Sequence, residues 1–247
     1  MVAFIALLVF IAIDLSDVTG LILILLMVIN IITVIYNIIP RGENDGGLLL
    51  MGSRSDSNRR LLHIMFFRTT IINDLAKGIR VRNLPAEMFT LASDMAIENK
   101  YIAYIVLINA ARLDDMGDHT LALKQYERIR LANLPPSCEE CKQYKIAASV
   151  SEMYQYATTS PCFETAKKIY SDQCVRDFLS RDIPANWQIL SAYHFFVLRE
   201  EAKGLELLSK AKSAAISETN LGIRDAMIEG LEILEGLMQV QRKMNMR

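Results

Sequence analysis

The first 40 residues contain no lysine and no arginine, and only two acids, Asp14 and Asp17, stand among them. All 27 basic residues therefore lie in 41–247, together with 26 of the 28 acidic ones, so that part is nearly neutral. The whole chain carries a formal charge of −1, which excludes a disordered polyelectrolyte and a simple basic nucleic-acid binder. From Ala86 onward there is almost no period-two alternation, which argues against a sheet. The chain has no glycine-rich phosphate loop and no Gly-x-Ser-x-Gly.

What is present divides into two solvents. Hydrophobic residues make up 52% of the 247, and they concentrate at the start. Met1–Ile13 is an unbroken apolar run, interrupted by Asp14–Gly20. Leu21–Tyr36 is apolar again except for Asn30 and Thr33. Val18–Ile39 holds about the 20 residues that cross a hydrocarbon core, so it reads as a transmembrane helix. Met1–Ile13 is too short to span and reads either as the tail of a longer helix or as a re-entrant segment. A cleaved signal peptide would need a basic n-region, which is absent, and a cleavage site after a single short apolar core, whereas a full span follows here.

Arg41, Arg54, Arg59, Arg60, Arg68, Lys77, Arg80 and Arg82 follow the span. The positive-inside rule puts that flank, and the domain behind it, in the cytoplasm. Arg59 and Arg60 suit either an anionic lipid surface or that rule alone. A reducing cytosol would leave the four cysteines as thiols.

The span runs into Asn37-Ile38-Ile39-Pro40-Arg41-Gly42-Glu43-Asn44-Asp45-Gly46-Gly47. On local chemistry Pro40 stops the helix and Asp45-Gly46-Gly47 is a turn. The spacing Asn-x-x-Pro-x-x-x-x-Asp-Gly-Gly at a membrane exit also resembles the site-2 protease family of intramembrane zinc metallopeptidases. That resemblance implies Asp45 as the third zinc ligand and Asn37 as a catalytic contact to the reacting carbonyl. It implies a Zn²⁺ cofactor and proteolysis of membrane substrates, with zinc lowering the pKa of its water and polarising the scissile bond. Lys77-Gly78-Ile79-Arg80-Val81-Arg82-Asn83-Leu84-Pro85 is similar to the Gly-x-Arg-Pro-Arg-x-x-Pro stretch of a bacterial branch, with Val81 in place of proline.

The family's other two ligands and its general base lie in His-Glu-x-x-His. The three histidines here, His63, His119 and His194, do not form it. The missing half would stand before Met1, which makes this chain the C-terminal part of a larger peptidase, inactive as it stands. The alternative is a vestigial site on a membrane-tethered helical scaffold that binds a protein partner.

Residues 51–85 read as a polar linker, Gly52–Arg60, followed by a helix over Leu61–Ala76. Residues 86–247 read as helices over about 86–98, 100–115, 119–132, 139–158, 163–179, 185–199, 203–216 and 219–245. The expected fold is therefore all-α, a transmembrane segment followed by a helical-repeat domain. Second helices share a small residue and a large one four places on: Ala122 and Tyr126, Ala166 and Tyr170, Gly204 and Leu208. Gly117-Asp118-x-x-Leu121-Ala122-Leu123-x-x-Tyr126 resembles the second half of a tetratricopeptide repeat, with Pro135 near the closing proline. That likeness implies a concave surface for a peptide or protein partner. An unrelated helical bundle would carry the same periodicity.

Cys138-Glu-Glu-Cys141 lacks the second pair that a structural zinc site needs, and no thioredoxin-like strand precedes it. Both cysteines read as ordinary helix N-terminal residues. Trp187 and the tyrosines 101, 104, 154 and 156 read as packing residues.

Overall fold

The structure is a computed structural model that describes residues 18–38, 47, 52, 54–93 and 95–245. Among the described residues it is helical throughout, with eleven α-helices, a 3₁₀ turn, a π segment and no strand. The chain divides into two compact units, Met1–His63 and Ile64–Arg247.

In the first unit α1 runs Val18–Ile38, 21 residues without a charge. At 1.5 Å per residue it is about 31 Å long. Ile22, Leu25, Leu26, Val28, Ile29, Ile31, Ile32, Val34 and Ile35 are all exposed. Consecutive helical positions point in different directions, so the exposed apolar surface surrounds the helix. Two of its polar residues bond inward: Asn30 Nδ2 donates to the Leu26 carbonyl at 2.7 Å, and Thr33 Oγ1 to that of Ile29 at 2.8 Å. Within the described residues no helix is long and apolar enough to cross a membrane. The side chains at 18–21, 23, 24, 37 and 38 lie outside that description. Met1–Ile13 also lies outside the described residues.

The helix expected at Leu61–Ala76 starts earlier, as α2, Asp56–Ala76. Its Ile64 and Ile71 are fully buried, and the second unit begins at Ile64, inside the helix expected at Leu61–Ala76. A 3₁₀ turn at Val81–Asn83 leads to α3, Glu87–Ser93.

From there the elements are α4 (Lys100–Asp115), α5 (His119–Leu131), α6 (Glu139–Thr158), α7 (Phe163–Tyr170) and α8 (Gln173–Leu179). They continue as α9 (Pro184–Ala192), the π segment Tyr193–Val197, α10 (Glu201–Ile216) and α11 (Leu221–Asn245). Their boundaries follow from caps. Asn99 accepts from the Tyr101 and Ile102 amides and starts α4. Gly117, at φ +84°, ends that turn, and Asp118 caps α5 through the Leu121 amide. The single helix expected over 163–179 is two, because Asp172 turns extended and caps the Cys174 amide, opening α8. The helix expected over 185–199 ends in the π segment, where Arg199 takes a positive φ of 63°.

Consecutive helices pack on one another: α4 on α5, α5 on α6, α6 on α7, α9 on α10 and α10 on α11. The main core gathers Met153, Ala166, Leu179, Phe195, Leu208, Leu231 and Leu234. Ala122 and Ala166 are fully buried. Gly204 permits a close approach: a Cβ there would stand 2.7 Å from Cβ of Phe195 and 3.1 Å from its amide nitrogen. Trp187 sits at the margin of this core, with Lys210 Nζ 3.9 Å from its ring centroid.

Candidate functional site

A cleft of about 650 Å³ opens in the second unit between α4, α6 and α11. It is closed at one end by the segment 77–85 that precedes α3. Two glycines let that segment lie against the start of α11. Gly78 has φ +84°, and a Cβ on Gly222 would stand 2.9 Å from the Arg80 nitrogen and closer still to the Gly78 carbonyl oxygen. Asn220 Nδ2 adds a bond to the Leu75 carbonyl at 2.8 Å.

Arg80 is the hub of this end. Its side chain is only 10% exposed. Nε donates to both Asp115 oxygens at 3.0 and 2.9 Å, Nη2 bonds Asp115 again, and Nη1 reaches Glu229 Oε2 at 2.6 Å. Arg82 adds its backbone amide to Asp115 at 3.2 Å and its guanidinium to Glu229 at 3.3 Å. The bidentate geometry is the strong form of such a pair. The bond to Asp115 raises the Arg80 pKa above the ordinary guanidinium range against the opposing effect of burial, and Glu229 adds to it. The same contact with Arg80 holds the Glu229 carboxyl below its usual range.

Deeper in the cleft Asp114 accepts from His119 Nδ1 at 2.7 Å and from Gln155 Nε2. Burial nevertheless raises its pKa, outweighing those two bonds. Burial also pushes the Tyr154 hydroxyl up to about 12, against a hydrogen bond donated by Gln188 Nε2 at 3.3 Å. Tyr126 is raised for the same reason, with Asp114 contributing and Ser151 opposing. Tyr126 and Tyr154 stay neutral at physiological pH and offer hydroxyl groups. Ile233 and Leu237 of α11 supply an apolar wall. The arrangement places polar and apolar side chains together along the cleft.

Asn37 falls in the last turn of α1, one position before its end at Ile38, and its side chain lies outside the description. Asp45 lies outside the described residues altogether. Among the described residues no group of three His, Cys, Asp or Glu side chains could hold a metal ion. His119 pairs with Asp114, and His194 Nδ1 with Glu200 Oε2 at 2.7 Å.

The cysteine pair departs from the thiol expectation, because Cys138 and Cys141 are joined in a disulfide. Cys162 and Cys174 are free and exposed. Sequence reasoning did not find the Arg80, Asp115 and Glu229 cluster. Arg80 drew notice within the Gly-x-Arg stretch, but Asp115 reads as a turn residue and Glu229 as one of several acids on a long helix.

No family model matches this chain, and no curated protein or solved structure matches it.

Proposed function

We propose that the chain is a membrane-tethered helical-repeat protein whose cleft receives a segment of a polypeptide partner. The cleft supports the partner reading most, because a concavity of about 650 Å³ is lined by Tyr126, Tyr154 and Gln188 together with the apolar Ile233 and Leu237. The paired helices, with Ala122, Ala166 and Gly204 at close crossings, support a degenerate tetratricopeptide-like stack. The tether reading rests on α1. It is uncharged over 21 residues, and the polar side chains of Asn30 and Thr33 bond its own backbone, which suits a hydrocarbon environment. The basic flank then puts the repeat domain in the cytoplasm.

A second reading is favoured by one observation: α1 ends at Ile38, one residue past the Asn of the Asn-x-x-Pro-x-x-x-x-Asp-Gly-Gly motif. In that reading the chain supplies Asp45 as one zinc ligand and Asn37 as a substrate contact in a site-2-protease-type peptidase. The two imidazoles of a His-Glu-x-x-His come from elsewhere. The cleft would then select or position what is cut.

Selection of displayed random peptides on the full chain in nanodiscs tests the binding reading. Enriched peptides should lose binding to Leu237→Asp and to Tyr154→Ala. Peptides that bind both variants as well as the parent would place recognition elsewhere.

A further inference from the structure

A disulfide joins Cys138 and Cys141 at the start of α6 in the second unit. Cys138 is the N-cap of α6, a helix of 20 residues, and Cys141 is its third residue. The two differ in access: Cys138 is half-buried, and Cys141 is 1% exposed. Pro135 and Pro136 lead into the helix, and the Pro135 carbonyl accepts from the Cys138 amide at 3.1 Å. The Cys141 amide points at Cys138 Sγ, 3.2 Å away. An N-cap sulfur receiving a backbone N–H at the positive end of a helix is stabilised as a thiolate. Glu139 and Glu140 oppose that charge, and the approach of Arg68 and Lys100 to Glu140, at 3.9 and 3.7 Å, offsets part of it.

We propose that Cys138 and Cys141 form a thiol–disulfide exchange site for low-molecular-weight disulfides of the glutathione class, with Cys138 the attacking sulfur and Cys141 the resolving one. In the dithiol form the Cys138 thiolate attacks one sulfur of glutathione disulfide. The S–S bond breaks, a mixed disulfide forms on Cys138, and one glutathione thiolate leaves. Cys141 then loses its proton to solvent, and its sulfur attacks the Cys138 sulfur. The second glutathione thiolate leaves, and the intramolecular bond closes. Two protein thiols are oxidised by two electrons while one glutathione disulfide is reduced to two thiols. Excess glutathione runs the sequence backwards, beginning at Cys138 because that residue is the more accessible of the two. The adjoining positions confine both steps to one helix turn, so exchange needs no rearrangement elsewhere. This site is independent of the cleft and of the zinc reading.

The test uses the full chain in detergent micelles, with Cys162→Ser and Cys174→Ser removing the two free thiols. The protein is equilibrated across ratios of glutathione to glutathione disulfide, quenched in acid and alkylated, and its intact mass is measured. Both remaining thiols should disappear together in a single two-electron transition without a stable adduct. Adding Cys141→Ser should leave one glutathione adduct, mapped to Cys138. Adding Cys138→Ser should leave none, because Cys141 is shielded. Two thiols that stay alkylatable at every ratio would overturn the proposal, and so would equal adduct formation in the two single-cysteine variants. If either substitution lowers the helical circular dichroism, peptide mapping of the Cys138–Cys141 bond across the same ratios in the parent decides alone. A bond that never forms there, or never opens, contradicts the proposal.

Discussion

Arg80 and Glu229 stand 149 positions apart, yet Nη1 of one lies 2.6 Å from Oε2 of the other. With Asp115 on the opposite side of the guanidinium, this contact ties the segment before α3 to the end of α4 and to the middle of α11. The first and last parts of the second unit are thus joined by one cation held between two carboxylates. Removing Arg80 leaves Asp115, a largely covered carboxylate, without its main partner.

Arg80→Ala should therefore destabilise the second unit by about 2 kcal/mol. That falls between the ~1 kcal/mol or less of exposed pairs and the roughly 3–5 kcal/mol of breaking fully buried ones. Glu229→Gln should cost clearly less, because Glu229 is nearly half exposed. Denaturant unfolding of the full chain in micelles, followed by circular dichroism, measures both. Equal effects would show that Asp115 does not depend on Arg80.

Three glycines should respond to alanine in opposite directions. At Gly222 the new methyl meets the backbone of Gly78 and Arg80, which cannot yield as a side chain would. At Gly204 it meets Phe195, including its amide nitrogen at 3.1 Å. Each should cost about 1–3 kcal/mol from overpacking. Gly236, inside α11, has nothing within 4 Å of the added carbon, so Gly236→Ala should stabilise by about 0.5–1 kcal/mol through helix propensity. The same unfolding midpoints test all three, and a stabilised Gly222→Ala would contradict the close approach.

Much of this architecture was legible in the chain itself. The bounds of α4 through α6 could be read because their signals are local: Asn99, Gly117 and Asp118 act within a turn of where they stand. The division of 163–179 depends on Asp172, which caps a new helix where apolar periodicity alone continues the old one. The π segment at Tyr193–Val197 has no local signature and coincides with the close approach of Gly204. The cleft was not legible, because Arg80, Asp115 and Glu229 meet only through the packing of distant helices. Asn37 and Asp45 came from motif resemblance, a route that carries no geometry.

Glu152 should give the pH dependence of stability a recognisable sign. Its carboxylate is 1% exposed and bonded by Arg130 Nε at 2.9 Å, yet burial raises its pKa, outweighing the opposing effect of Arg130. A raised carboxyl pKa means that the folded state binds the proton more readily than the unfolded one. The parent should therefore gain stability relative to Glu152→Gln as pH falls from the raised folded value toward the ordinary glutamate value. Paired denaturation curves at neutral pH and at about pH 5 measure the difference. A parent that loses ground to the variant on acidification would mean that Arg130 controls this group.

The zinc reading has its own test. Purified 1–247 should contain well under one zinc per chain by elemental analysis, since one carboxylate provides too few ligands. In a longer version that adds an upstream His-Glu-x-x-His segment, zinc should bind, and Asp45→Ala should weaken binding and abolish peptidase activity. Asn37→Ala should retain zinc and slow turnover. Full activity of Asp45→Ala would make the motif coincidental.

The proposed tethering of the helical domain to a membrane through α1 is tested most directly by extraction of cell membranes with alkaline carbonate. The full chain should stay in the membrane pellet and leave it only in detergent. Placing arginine at both Val28 and Ile29, in the middle of α1, should release a large share of it, since each mid-span cation costs about 2.5–3.5 kcal/mol of insertion. Recovery of the unsubstituted chain in the carbonate supernatant would contradict the account.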